Sequence, residues 1–198
     1  MRRPHDFYPT THEGATEGLL FSSPVIFGGV AFECCSGRHH MTRVLRASNL
    51  FERVLTNDVV PSFDADYHFD ATNAANWEQL PPIDWVITNP PFALGLPILR
   101  NALRVARCGI AFYLRITFWE PTIRDRFHPE RRRGFFLRDH PPTGFMPMSR
   151  ISHTEDGGTD SATCAWFVWD KVETEQWHKV LILSDTVPVE GNQPDLLV

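Results

Sequence analysis

No run of roughly 18 consecutive apolar residues occurs in the 198-residue chain, so a hydrophobic membrane-spanning helix is excluded. Met1 to Thr11 is polar and proline-containing, unlike a secretory leader, and the expectation is a soluble, cytoplasmic protein that acts without a membrane. Cysteine is scarce: Cys34, Cys35, Cys108 and Cys164 form no CxxC pair, which removes a zinc ribbon or redox pair and leaves reduced thiols, some of them in the core. His39 and His40 are adjacent, so on a helix they point to different faces, and no third ligand is spaced to join them; two exposed histidines and no metal are expected. Positive charge is also short, with 19 Lys and Arg against 24 Asp and Glu and a formal net charge of -5, which argues against a uniformly basic surface. Repeats and low-complexity tracts are absent. A chain that is 42% hydrophobic and 22% charged fits one globular domain over residues 1–198.

Residues 30 to 115 alternate short apolar runs with helix-compatible stretches, the pattern of βαβ units feeding a parallel sheet. Strands are predicted at Val30 to Cys34, Arg53 to Thr56, Tyr67 to Phe69, Ile83 to Thr88, Ile110 to Ile116 and Ala162 to Trp169. Met41, Val44 and Leu45 share one face of a helix over His40 to Ala47, and Leu96, Leu99, Leu103 and Ala106 one face of a helix over Leu96 to Arg107, with Gly109 placed to end it. Residues 121–160 hold many prolines, glycines and arginines and little periodicity, and are predicted to be a basic insertion with its own job.

The strand ending at Thr88 runs straight into Asn89-Pro90-Pro91-Phe92, where two prolines forbid both ladder bonding and an immediate helix. Such a turn suits one kind of chemistry. An exocyclic amine on an aromatic base is a poor nucleophile because its lone pair is delocalised into the ring. Two fixed acceptors for its N–H bonds localise that lone pair; Asn89 supplies one through its amide oxygen and Pro90 the other through its carbonyl. The prolines stiffen the turn, and Phe92 offers a flat apolar face for an extruded base. Asn and Pro are also ordinary turn residues; the position at the carboxyl end of a strand in an α/β sheet, where ligands bind, favours the chemical reading.

With these residues the chain resembles the N6-adenine DNA methyltransferases, especially the short stand-alone ones of phages and prophages, over roughly residues 7 to 171. Asn89 to Phe92 matches the family's catalytic motif; Phe32-Glu33-Cys34-Cys35-Ser36-Gly37 resembles the first cofactor motif; Phe7-Tyr8-Pro9-Thr10 resembles an N-terminal element that lies against the cofactor's methionine part in relatives. The resemblance implies an α/β, Rossmann-like S-adenosylmethionine-dependent methyltransferase fold, with a mainly parallel central sheet flanked by helices. It implies S-adenosyl-L-methionine as cofactor and DNA as partner, in a monomer or homodimer.

The cofactor residues it implies are Tyr8, Pro9, Thr10, Glu33, Cys35, Ser36, Gly37, Asp58, Asp70 and Asn89. Gly37 admits the cofactor to exposed backbone N–H groups at a helix start; Asp58 suits ribose hydroxyls; Asp70 suits the cofactor's adenine amine or caps the segment beginning at Ala71. His39 departs from the family pattern by standing where relatives usually carry a second glycine. Arg131, Arg132 and Arg133 suit phosphate contacts; Arg115 and Phe118 are family-like without a derived role; Trp166 and Trp169 belong to core and edge packing. The alternatives keep the chemistry on another planar nitrogen (RNA guanine N2, cytosine N4 or protein glutamine) or make the chain a catalytically inactive DNA-binding module.

Overall fold

A computed structural model gives the structure of residues 10, 13–119, 133–148 and 163–178, the side chains of 133–135 excepted. Helix α1 (Glu13–Ser22) is followed by β1 (Val30–Glu33), α2 (His40–Ala47) and β2 (Arg53–Thr56). A 3-10 turn over Ala74–Gln79 leads into β3 (Ile83–Thr88), and another over Phe92–Leu94 into α3 (Gly95–Val105) and β4 (Ala106–Arg115). A third covers Ile116–Trp119; α4 (Arg133–Asp139), β5 (Gly144–Pro147), β6 (Cys164–Asp170) and β7 (Trp177–His178) complete the described elements.

These strands form one sheet of order β2-β1-β3-β4-β6-β5-β7. The first four run parallel, β6 is antiparallel to both β4 and β5, and β7 pairs parallel with β5. The chain leaves β1 outward to β2 and then crosses back to β3 on the other side of β1. Loops that diverge from such a reversal leave a crevice at the carboxyl ends of the strands, so the segments after β1, β2 and β3 are the ones that line it.

The two-residue repeat of the strands sorts their side chains onto two faces. Trp85, Ile87, Ala111, Tyr113, Trp166 and Val168 pack with residues of α1 and α2, whereas Val86, Ile110, Phe112, Leu114, Phe167 and Trp169 pack on the side of Ile98, Leu99 and Ala102 of α3. Each fully buried aliphatic or aromatic side chain of this kind stabilises the fold by about 1.5–3 kcal/mol relative to exposure. Trp166 and Trp169 are core residues, as expected, and each spends its indole N–H: Trp166 donates to the Ala15 carbonyl at 2.8 Å, tying α1 to the sheet, and Trp169 to the His140 carbonyl at 3.0 Å. No helix among the described residues is long and apolar enough to cross a membrane.

Three expectations are corrected. Tyr67 to Phe69 is not a strand and makes a single bridge, Asn57 to Tyr67, because the groups a ladder would use are taken by side chains. The Thr56 N–H donates to the Asp66 carboxylate at 2.8 Å, and the Phe69 N–H to the Asn57 amide oxygen at 2.9 Å. The helix α3 does not end on Gly109; it passes at Ala106 directly into β4, and the Lys171 ammonium donates to its terminal carbonyls at Leu103 (2.8 Å) and Ala106 (2.7 Å). Gly109 is a strand residue at a close approach, where an added Cβ would lie 2.4 Å from the Trp85 ring and 2.7 Å from the Trp169 carbonyl. Finally, residues 133–148, assigned to an insertion, supply α4 and the sheet strand β5; the rest of 121–160 lies outside the described residues.

Gly109→Ala should therefore lower unfolding free energy by about 1–3 kcal/mol through overpacking, while Gly28→Ala, whose Cβ would meet nothing closer than the Leu50 carbonyl at 3.8 Å, serves as control. Urea denaturation of the two variants checks the difference.

Candidate active site

The loop after β1 is held shut by the loop after β2. The Asn57 side chain, 1% exposed, donates through Nδ2 to the carbonyls of Cys34 (2.9 Å) and Phe69 (3.1 Å), while its oxygen accepts from Phe69 N–H. One amide thus ties the ends of β1 and β2 to the segment before Asp70. Beside it, one Asp58 oxygen accepts from the Gly37 N–H at 2.8 Å and the other from Val60 N–H at 2.9 Å. Sequence reasoning assigned Asp58 to ribose and gave Asn57 no role. A buried amide with all its donors and acceptors used is a fold-organising group, and the signal available was its place beside Asp58 at a strand end.

The expectation that the Gly37 turn exposes N–H groups to a ligand is corrected: Ser36 N–H donates to the Asn57 carbonyl (2.9 Å), Gly37 N–H to Asp58 and His39 N–H to the Ser36 carbonyl (2.8 Å). These three donors of the turn are consumed in its own bracing. Gly37 has φ 49° and His39 φ 62°, so His39 adopts the left-handed backbone that glycine takes most easily, at the position where the family pattern places one. Its ring compensates, with Nδ1 bonded to Thr42 Oγ1 at 3.2 Å and Nε2 to the Asp64 carbonyl. His39 and His40 are half-buried rather than exposed, and His40 lines the crevice.

That crevice is a cavity of about 250 Å³ at the carboxyl ends of β1, β2 and β3. Its wall brings together Thr10, Glu33, Cys35, Ser36, Gly37 and Asp58 from the expected cofactor set. Asp70, Asn89 and Pro91 join them, together with the unforeseen Val60 and Phe63. Glu33 is 2% exposed, and its carboxyl accepts a hydrogen bond from the Thr42 hydroxyl. Burial above all, assisted by the neighbouring Asp58 and opposed by Thr42 and Arg46, pushes its pKa up to about 8. The Cys35 thiol is pushed well above its ordinary value by its hydrogen bond with Cys34 and by burial, which leaves it protonated and unreactive at neutral pH. Asp70, at the exposed rim, accepts from the Thr72 N–H (2.8 Å) and hydroxyl (2.7 Å) through one oxygen, the turn-capping alternative foreseen for it. Ser36 Oγ is buried at the wall and has no hydrogen-bond partner among the described residues.

Asn89 is half-buried after β3, and its amide nitrogen donates to Thr10 Oγ1 at 3.0 Å. The Pro91 carbonyl is taken by the Leu94 N–H at 2.8 Å, and Pro90 is buried. Phe92 is not part of the crevice wall: it is half-buried between the two core clusters, with the Arg115 guanidinium 5.0 Å from its ring centroid. One face that an extruded base was expected to use is therefore occupied by a cation, which gives Arg115 a role that the sequence left blank. Phe118, the other such position, is buried against Phe167 at 5.7 Å. Tyr8, Pro9, Arg131 and Arg132 lie outside the described residues, as does the side chain of Arg133. Among the described residues no group of His, Cys, Asp and Glu is placed to hold a metal.

Glu33 makes stability depend on pH. Its folded value of about 8 lies above the ordinary 4.5, so the stability contributed by its neutral form is present below about pH 4.5 and lost as pH rises through about 8. Urea denaturation at about pH 5.5 and 8.5 should show wild type losing more stability across that window than Glu33→Gln; equal losses would mean that Glu33 is ionised throughout.

No family model matches the sequence, and no curated protein matches it. Solved structures do. The type I restriction-modification system methyltransferase subunit from Streptococcus thermophilus is similar with TM-score 0.57 and 11% identity, over 87% of this chain and 46% of that one, so the chain spans less than half of the subunit. A dimethyladenosine transferase from Plasmodium falciparum gives TM-score 0.53 and 12% identity, over 79% and 61% of the two chains. The O-methyltransferase from Bacillus cereus in complex with SAH gives TM-score 0.53 and 13% identity, over 86% and 84%. At these identities what is shared is the architecture, and the chain has the Rossmann-like fold of the S-adenosylmethionine-dependent methyltransferases.

Proposed function

We propose that the chain transfers a methyl group from S-adenosyl-L-methionine to the N6 amino group of adenine in DNA. The observation that carries this reading is the meeting, in one crevice at the sheet's reversal point, of the Asn89 amide with the buried carboxyl of Glu33, the unpartnered hydroxyl of Ser36 and the carboxylate of Asp58. These groups fit the cofactor. A cavity of about 250 Å³ with a buried acid at one end suits an amino-acid ammonium, and an orphaned hydroxyl beside it needs a polar partner. Asp58 retains lone pairs for hydroxyl donors while bracing Gly37, and the apolar Val60 and Phe63 suit a flat ring. Arg46, near Glu33, is no substitute for a bound cation, since the carboxyl is still held largely neutral at pH 7. When bound, the cofactor supplies an electrophilic methyl on a sulfonium sulfur.

The chain's own contribution is to prepare the acceptor nitrogen. The Asn89 amide oxygen and the Pro90 carbonyl accept its two N–H bonds, and Pro90 and Pro91 keep both acceptors from reorganising. The exposed apolar side chains support a nucleobase as acceptor: Val59 after β2, Leu94 after β3, and Ile116 and Trp119 after β4 stand at the rim where the parallel strands end. Such a rim accommodates an unstacked base better than a phosphate. The assignment to adenine in DNA is supported by the Asn-Pro-Pro-Phe resemblance and agrees with a restriction-modification methyltransferase subunit among the similar folds. Arg131, Arg132 and Arg133 are proposed to contact phosphates, and Tyr8 and Pro9 to close over the cofactor.

Incubation with methyl-labelled cofactor should label unmethylated DNA, and Asn89→Ala should cut the rate by about 10²–10³-fold while calorimetry shows cofactor affinity nearly unchanged. Label on RNA or protein alone overturns the acceptor, and binding of DNA without transfer makes the chain a binding module. Asp58→Ala, which removes the Gly37 brace, should weaken cofactor binding by about tenfold or more in the same calorimeter.

A further inference from the structure

The Asn89 mechanism has a requirement that Asn89 cannot meet alone. A primary amide has an oxygen and a nitrogen of nearly equal size, and the torsion that exchanges them is broad and roughly two-fold. Turned one way, the side chain accepts from an incoming amino group; turned the other, it presents N–H donors to N–H donors and repels it. Pro90 and Pro91 restrict the backbone of the turn but do not act on this side-chain torsion.

Thr10 is in contact with the nitrogen of that amide. It is 5% exposed and distant in sequence, and its Oγ1 accepts from Asn89 Nδ2 at 3.0 Å. A hydroxyl that accepts from an amide N–H keeps its own proton for a second partner. Thr10 lines the crevice, so that partner is an acceptor group of whatever fills it. Once the proton is committed there, the oxygen can only accept, and the Asn89 nitrogen is held against it.

We propose that Thr10 is the positioning residue of the acceptor site: it orients the Asn89 amide, and an acceptor bound in the crevice strengthens that orientation. The proposal rests on the reading of Asn89 as the acceptor for the substrate amine, and it adds the orientation of Asn89 to the cofactor-contact role that the sequence resemblance implied for Thr10. It makes the two ends of the reaction interdependent through a single hydroxyl, so that the acceptor geometry is firmest when the crevice is filled.

Two measurements test it. In nitrogen-15 spectra of the full chain with and without S-adenosylhomocysteine, the side-chain NH2 pair of Asn89, identified by its disappearance in Asn89→Ala, should move in Thr10→Val and return near its original position in Thr10→Ser. The wild-type pair should sharpen when S-adenosylhomocysteine binds. In methyl transfer to unmethylated DNA at saturating cofactor, Thr10→Val should lower kcat by about tenfold, the worth of one hydrogen bond, in addition to any loss of cofactor affinity seen by calorimetry, and Thr10→Ser should restore most of kcat. An Asn89 pair that is unmoved in Thr10→Val, or a kcat unchanged at saturating cofactor, overturns the proposal. If wild type transfers no methyl to DNA, the function proposed above fails, and the spectra still decide whether Thr10 orients Asn89.

Discussion

Loops that diverge from the ends of two neighbouring strands have no reason to stay near one another unless something polar and buried ties them. Here that tie is the side chain of Asn57, whose amide bonds the carbonyls of Cys34 and Phe69 and the N–H of Phe69 with almost no exposure to water. Removing it would leave those backbone groups buried and unpaired, at about 1–3 kcal/mol each. Asp58 extends the tie to Gly37 and Val60. The consequence is a braced crevice wall in which the N–H groups of Ser36, Gly37 and His39 are already spent, while the Glu33 carboxyl, the Ser36 hydroxyl and the remaining lone pairs of Asp58 face the cavity.

The electrostatics of that wall follow from the same rigidity. Glu33 cannot retreat to water and has Asp58 nearby, so its carboxyl stays largely neutral at pH 7. A buried acid of this kind destabilises the protein as pH rises, and a bound cation would offset that cost by pairing the charge. On the facing side of the crevice the turn after β3 is stiffened by proline, capped by the Pro91 to Leu94 hydrogen bond and approached by Thr10. Phe92 and Arg115 support the turn from behind, as packing and a cation over a ring.

Much of this was legible in the chain. The helix over His40 to Ala47, the strand at Ile83 to Thr88 and the buried tryptophans of β6 follow from periodicity, because each packs one face against a core that the sequence pattern describes directly. Asn89 and Asp58 could be assigned from their places at strand ends, where α/β sheets bind ligands, and Glu33 and Ser36 through the motif resemblance; the crevice brings all four together. What escaped was what depends on contacts between distant residues: the Asn57 tie, the Lys171 cap on α3, the close approach at Gly109 and the Thr10 contact with Asn89. The segment at Tyr67 to Phe69 looked like a strand because its aromatics alternate, yet Asp66 and Asn57 supply the bonds that a ladder would have made. β5 was hidden by the prolines and glycines around a strand of only four residues.

The central claim is that the crevice organised by Asn57 and Asp58 presents Asn89 to an adenine amine. Mass spectrometry of nucleosides from cells expressing wild type or Asn89→Ala, in a host whose own DNA carries no N6-methyladenine, tests it most directly. The account predicts N6-methyl-2′-deoxyadenosine with wild type and its absence with the variant. DNA nucleosides identical in the two, or a wild-type modification confined to RNA nucleosides, would contradict it.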